Sequence, residues 1–555
     1  MARFFWLLAL IFLCSSPLQA DPPVAEYLFP AGGQRGTTVP VQVGGLQLNQ
    51  SCTVELIGNG VSCPTRIHRT ESRWFEGPLL PLPDSQRPEN YPKAMACSIQ
   101  IAADANPGVR HLLLSTSQGI TAPLKFIVGH FPEMIEDEQP GSTEAVTIAT
   151  PVTINGRIFP REDVDRWSVG LRKGETLTVS VAASHGLGSP LEAHLALRDS
   201  TGRRVAESLP GANRDASLTY TATADGTFQI QIRDVGYKGG PAYVYRLTAT
   251  TGPWVNFVSP LGGQSGQKVT VKYHGNALEE DEKELVIPTD HPESILVPNP
   301  AGQLLAFDVD SLPEVNDRSL PIAVPGIANG VIDQPGTSDV WTFRAQTGIP
   351  LQLELRAARL GSPLLGVVRI RDAEGKTLAQ ATPIGNSTSD PALRFVPPKD
   401  GNYTVEVSDQ FRSRGGPAFQ YRLKITPALP HFELHLASPT ATVERAKSHM
   451  LKIGVNRIGG FSGPISLRAV GLPPGVSIPD RFTIQPNQSQ VNLPIQASDS
   501  ARIGTFSLRL IGTGWISSPI AAAAIPIEAD ASYPISFGEP RFPGLKLAVA
   551  IPTPF

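Results

Sequence analysis

The sequence predicts an all-β fold, a tandem array of β-sandwich domains. Three observations carry this: an internal duplication, an apolar alternation kept at the same place in both copies, and a composition dense in turn formers. Glycine (51) and proline (53) together supply 104 of 555 residues, well above the usual share of roughly 12%. Such a chain makes many short strands and few helices.

The duplication lies between residues 145 and 427. Asp215-Ala-Ser-Leu218, Asp225-Gly226, Phe228, Ile230, Ile232 and Asp234 align without a gap on Asp390, Leu393, Asp400-Gly401, Tyr403, Val405, Val407 and Asp409. Upstream, Asp165-Arg-Trp167 matches Asp339-Val-Trp341 and Leu187-Gly-Ser-Pro-Leu191 matches Leu360-Gly-Ser-Pro-Leu364. Downstream, Gly239-Gly-Pro-Ala242 with Tyr245-Arg-Leu247 matches Gly415-Gly-Pro-Ala418 with Tyr421-Arg-Leu423. Within each copy Leu177, Val179, Val181 and Leu351, Leu353, Leu355 alternate with other residues, the period of a half-buried strand. A slip of one residue would expose the whole apolar set, so the register is fixed. Trp167 and Trp341 are expected in the core.

These motifs resemble the bacterial pre-peptidase C-terminal domain, a small β-sandwich or jelly roll appended to secreted peptidases and envelope proteins. The match covers residues 145–250 and 327–427. No peptidase segment accompanies it, so the resemblance implies a fold rather than an activity. Phe29-Pro-Ala-Gly-Gly-Gln34 is echoed by Ser259-Pro-Leu-Gly-Gly-Gln264, each followed by alternating valines, the opening hairpin of an Ig-like sandwich. Residues 24–130 and a short 254–325 therefore resemble the IPT/TIG-type Ig-like domains of bacterial surface proteins. A further Ig-like segment is expected at 430–530, where Gly471-Leu-Pro-Pro-Gly-Val476 follows a strand pattern. Residues 131–144 read as an acidic, solvated linker, and 531–555 as a Pro-rich irregular tail.

The first 20 residues read as a signal peptide, with Arg3, an apolar run from Phe4 to Cys14, and cleavage after Ala20. Eleven apolar residues fall short of the roughly 20 that a membrane helix needs, and no later run is long enough either. Secreted, periplasmic or cell-surface localisation is expected. Export permits a disulfide among Cys52, Cys63 and Cys97; Cys52 and Cys63 flank a turn and form one candidate pair, three free thiols the other reading. A net charge of −3 offers no footprint for nucleic acid.

The repeated polar residues are aspartates: Asp165, Asp199, Asp225 and Asp234 against Asp339, Asp372, Asp400 and Asp409. Carboxylates on loops at one end of a sandwich are the ligands that Ca²⁺ takes, and calcium at the domain edge is what the family resemblance implies. Asp in turns also binds its own backbone. Both readings stand at this point, the turn role first. Arg246 and Arg422 are expected to pair with a sandwich carboxylate or to cover apolar surface with their stems. Trp74, Phe75 and Tyr91 mark a Pro-rich, aromatic stretch that serves either as a ligand platform or as a flap over its own core. No G-x-S-x-G, H-E-x-x-H, P-loop or G-x-G-x-x-G motif occurs. The expected function is a non-catalytic envelope or extracellular scaffold that binds an envelope protein or polysaccharide. The alternative is a carbohydrate- or protein-binding accessory of a secreted hydrolase.

Overall fold

The computed structural model describes residues 22–70, 93–137, 144–211, 215–289, 294–299, 304–383, 390–516, 525–534, 542 and 544–552. Nearly every regular element is a strand. The strands gather around five separate apolar cores.

The duplicated units share one topology. In the first copy, Glu133–Ile135, Val152–Arg157, Val244–Thr250, Thr176–Ala182 and Ser217–Thr221 lie in that order in one sheet. In the second copy the order is Glu314–Val315, Gly326–Val331, Gln420–Pro427, Leu351–Arg356 and Ala392–Phe395. The facing sheets hold Asp165–Leu171 and Ser338–Ala345 against Gly226–Asp234 and Gly401–Asp409. The alternating residues of each copy point into one core with Trp167 or Trp341. Burial of these apolar faces, worth about 25 cal/mol per Å² of area removed from water, holds the two sheets together.

Ahead of each copy stands a sandwich opened by the Gly-Gly-Gln motif. Gly32–Gln34 pairs in parallel with Leu124–Gly129, and Gly262–Gln264 with Leu304–Asp310. The second of these sandwiches is small, with two three-stranded sheets.

Two sequence expectations are corrected. The 131–144 linker is not wholly solvated, because Glu133–Ile135 forms a strand beside Val152–Arg157. Nor is the 531–555 tail irregular throughout, since Leu545–Ala550 lies buried between Thr440–Glu444 and the start of Gly504–Ile516. Leu545, Leu547 and Val549 belong to the core of the fifth sandwich. The six-residue run Leu-Lys-Leu-Ala-Val-Ala, apolar except for Lys546, makes that strand, and the prolines around it only bound it.

The chain also closes on itself. Ile120 N donates to Thr442 Oγ1 (3.2 Å), Ile551 N donates to Ser117 O (2.9 Å), and Lys546 pairs with Glu55. Leu113, Ile120 and Ala548 form a small apolar cluster across the same contact. The first and fifth sandwiches thus touch.

Candidate functional site

The polar groups that the fold brings together sit at the two joints between a Gly-Gly-Gln sandwich and the duplicated unit that follows it. At the first joint the Arg246 guanidinium, 4% exposed as a side chain, grips Glu133, 10% exposed. Arg246 Nη1 and Nη2 donate to the two carboxylate oxygens at 2.8 and 2.7 Å. Nη1 also donates to Asn155 Oδ1 at 2.8 Å, and Asn155 Nδ2 returns a bond to Glu133 Oε2 at 2.8 Å. The triangle is closed, so the desolvated charges have partners, as buried charges must.

The second joint repeats it. Arg422 Nη2 and Nη1 donate to Glu314 at 2.8 and 3.3 Å, Nη1 to Asn329 Oδ1 at 3.0 Å, and Asn329 Nδ2 to Glu314 Oε2 at 2.8 Å. Glycine lets each arginine pass between domains. A Cβ on Gly32 would stand 2.2 Å from Arg246 Nη1, and one on Gly262 2.7 Å from Arg422 Cζ. The first glycine of each Gly-Gly-Gln motif is therefore a groove for the latch. The glutamine closes the turn, with Gln34 Nε2 donating to His130 O and Gln264 Nε2 to Ser311 O.

Around this shared latch the joints diverge. Ile127 pairs with Gly32 at the first joint, and Asp308 pairs with Gly262 at the second. Ala182 pairs with Arg246, and Arg356 with Arg422. An apolar Ile–Ala position in one joint is thus an Asp–Arg ion pair in the other. Ile127 and Ala182 border a cluster of Tyr27, Phe29, Ala31, Leu187 and Val244, and Arg157 lies 3.9 Å over the Phe29 ring. At the second joint Asp308 accepts from Arg356 Nη1 (3.1 Å) and Arg422 Nε (2.8 Å). Burial works to raise the Asp310 carboxyl, but the hydrogen bond and charge of Lys424 outweigh it and hold the group below its ordinary value.

A second repeated trio lies behind each latch. In the later copy Trp341 Nε1 donates to Tyr421 OH (2.8 Å), which donates to the buried Asp339 Oδ2 (2.7 Å), while Arg318 Nη1 reaches Asp339 Oδ1 (2.6 Å). In the earlier copy Trp167, Tyr245 and Asp165 face one another in the same order, but outside good hydrogen-bond geometry. There Asp165 faces Glu136 and Asp163 in place of an arginine. Burial and then the Glu136 charge push the Asp165 carboxyl well up, and burial pushes Glu136 up to about 7. Gly156 and Gly330 admit the tyrosines, since a Cβ there would meet the Tyr245 and Tyr421 hydroxyls at 2.4 and 2.3 Å.

The eight aspartates proposed from sequence occupy separate places. Asp165 and Asp339 belong to the trios just described. Asp199 accepts from Thr201 N and Arg203 N, and Asp372 from Lys376 N. Asp225 and Asp400 each accept one amide, from Lys173 and Thr347, at 2.6 Å. Asp234 accepts from Glu192, Gly236 and Lys238, and Asp409 from Leu365 and Phe411. The last six accept backbone amides, and among the described residues no three His, Cys, Asp or Glu gather to hold a metal ion.

Trp74, Phe75 and Tyr91 lie outside the described residues. Cys52, Cys63 and Cys97 are free thiols, which corrects the Cys52–Cys63 pair. Cys52 is buried in the first core, and Cys97 is the thiol that senses Cys63, its own pKa pushed to about 12 by burial and that neighbour. The joint residues Glu133, Asn155, Glu314, Asn329 and Asp308 were missed. Their signal was available, as Pro132-Glu133 is echoed by Pro313-Glu314 and Asn155-Gly156 by Asn329-Gly330.

These features define a multidomain all-β protein of tandem sandwiches. No family model matches the chain, and no curated protein matches it. Among solved structures it is similar to the pre-peptidase C-terminal domain of a Bacillus anthracis collagenase, at 16% identity over 20% of this chain and 100% of that one, with a TM-score of 0.17. Surface layer protein SbsC, domains 1–6, matches at 10% identity over 96% of this chain and 55% of that one (TM-score 0.15). Trypsin-activated α-2-macroglobulin from Escherichia coli matches at 9% identity over 96% and 49% (TM-score 0.15). This chain thus spans about half the length of the latter two structures. Scores this low say nothing of function. Among the described residues no helix is long and apolar enough to cross a membrane.

Proposed function

We propose that the chain is a non-catalytic, exported scaffold or adhesion-type binding protein of a bacterial envelope, its sandwiches held at fixed relative positions. The observation that carries this reading is the Arg–Glu–Asn latch, built twice at equivalent joints. Domains joined only by linkers move by default. Each triangle ties the connector strand to the sheet of the unit that follows, and its guanidinium packs against the Gly-Gly-Gln strand of the preceding sandwich. At the second joint Arg422 and Arg356 also bind Asp308 of that sandwich, and opening the joint would strand those charges. Rigidity of this kind suits spacing and display.

Small-angle scattering of the mature protein, with retention on isolated bacterial envelopes, tests it. A compact body of 555 residues has a radius of gyration of about 24 Å. The closed circuit of sandwiches is expected within about 10 Å of that value and unchanged by moderate salt, since buried pairs are weakly screened. Scattering of a flexible, extended string, or no retention on envelopes, would refute the proposal.

A further inference from the structure

We propose that the loops after Asp234 and Asp409 are a pair of binding platforms for an acidic polysaccharide; this deepens the binding-scaffold reading and rests on it. Tyr237 and Phe411 are each 50% exposed. A single exposed apolar side chain needs no explanation. Here the same corner of both copies presents a ring, and each ring is braced.

The bracing is specific. The Arg233 guanidinium lies 4.1 Å from the Tyr237 centroid and is tied to Asp234 O at 2.8 Å. Arg414 lies 5.8 Å from the Phe411 centroid and 5.2 Å from that of Phe419, and is tied to Pro363 O. Each loop is fastened by its aspartate: Gly236 N and Lys238 N donate to Asp234 Oδ1 at 2.8 and 3.0 Å, and Phe411 N to Asp409 Oδ1 at 2.7 Å. Tyr237 is held at φ +56°, a conformation that bulky residues adopt rarely and at some strain. Its carbonyl accepts from Glu162 N at 3.2 Å. A ring fixed this way loses little freedom when it binds, which is what makes rigid aromatics efficient contacts.

Charge selects the partner. Asp234 is buried and spent on backbone amides, and Asp409 is buried among amides with Arg414 at 3.9 Å. The exposed charge of the two segments is therefore positive, Lys238 in one and Arg412 in the other, beside the half-buried Arg233 and Arg414. Arg161 and Glu162, beside the first loop, offset one another. A chain of net charge −3 thus carries, twice, an aromatic face between two cations. The apolar C–H face of a pyranose stacks on such a ring, and a uronate carboxylate pairs with the flanking cations. Both loops adjoin a latched joint: Ala242 borders the Tyr27–Phe29 cluster, and Gln420 Nε2 donates to Val258 O. Between the platforms lie the second latched joint and the bonds of Asn276 Nδ2 to Thr178 Oγ1 (3.0 Å) and Thr219 Oγ1 (3.5 Å), and two sites held on one polymer bind with avidity.

Binding of the full chain to immobilised polygalacturonate, dextran and polyglutamate tests this. Polygalacturonate is expected to bind at least about tenfold more tightly than dextran. Tyr237→Ala and Phe411→Ala should each weaken it about tenfold, and the double variant more than about 100-fold as avidity is lost. Tyr237→Phe should bind as the parent does, and Lys238→Gln with Arg412→Gln should weaken binding and flatten its salt dependence. Equal binding to dextran, no binding to polygalacturonate, or polyglutamate binding of the same strength that ignores the ring variants would each overturn the proposal. Melting and scattering of the variants, expected unchanged, keep a failure of the platforms distinct from a failure of the scaffold.

Discussion

Glu133→Gln isolates the latch with the smallest change of shape. The carboxylate accepts three short bonds, from Arg246 Nη1, Arg246 Nη2 and Asn155 Nδ2. Glutamine keeps one oxygen and turns its amide group against donors, so at least one N–H meets another N–H. Removing one partner of a buried pair costs about 3–5 kcal/mol, and the surviving bonds argue for the lower end. At about 1.4 kcal/mol per tenfold, about 3 kcal/mol is roughly a 100-fold rise in opening of the connector strand Glu133–Ile135. Amide hydrogen exchange on the full chain reads this locally. Exchange in Glu133–Ile135 is expected to quicken about 100-fold, while Glu314–Val315, the equivalent strand at the other joint, stays as it was. Adding Arg246→Met should restore part of the loss by removing the stranded charge. An acceleration under about tenfold, or an equal one at both joints, would show that the latch does not hold its connector strand.

Tyr421→Phe leaves Trp341 Nε1 without its acceptor and Asp339 Oδ2 without the phenol donor, so a loss of about 1–3 kcal/mol is expected in denaturant melts; Tyr245→Phe, whose hydroxyl faces Trp167 and Asp165 outside good hydrogen-bond geometry, should lose less. Folded Glu136 titrates near 7, above the ordinary 4.5, so the fold binds more protons than the unfolded chain between those values. Stability from this group is present in full below about pH 4.5 and is lost as pH rises through about 7; melts at pH 5 and 8 should show the fall, and Glu136→Gln should flatten it. Because the paired aspartates spend their oxygens on backbone amides, melting is expected to be the same in calcium and in chelator, and a rise of several degrees with calcium would reverse that reading. Asp308→Ile with Arg356→Ala, which gives the second joint the residues of the first, is expected to be neutral or stabilising by about 1–4 kcal/mol in thermal melts, and a clear loss would mean that the ion pair is needed.

The sandwiches were legible because alternation and turn residues are local, and because two copies at a nearly constant spacing remove chance. Trp167 and Trp341 are in the cores where the pattern put them. The strand Leu545–Ala550 was not legible: its run is short, and its partners Thr440–Glu444 and Gly504–Leu508 are remote in sequence. The latch was half legible. Arg246 and Arg422 stood out by repetition, but their glutamates sit in connectors whose charge reads as solvation. Burial of a charge depends on what folds over it, and a composition window cannot see that. The aspartates were read first as turn residues, and six of the eight do accept backbone amides; Asp165 and Asp339 sit instead in buried trios, which their repetition alone could not distinguish.

The comparison of joints separates what the architecture requires from what it merely allows. Both keep arginine, glutamate, asparagine and the glycine groove, so the closed triangle is the part that a latched pair of sandwiches needs. Around it Ile127 and Ala182 take the places of Asp308 and Arg356. An apolar contact gains from dehydration alone, whereas an ion pair in the same place must first recover the desolvation of both charges. The two solutions therefore differ less in strength than in selectivity. Apolar surfaces tolerate a shifted partner, and a charge pair does not, since a misplaced Asp308 would be buried without its guanidinium. The second joint also follows the smallest of the sandwiches, with only two three-stranded sheets around its core. A joint with little apolar area to offer fixes its geometry by charge, and a joint with more fixes it by packing.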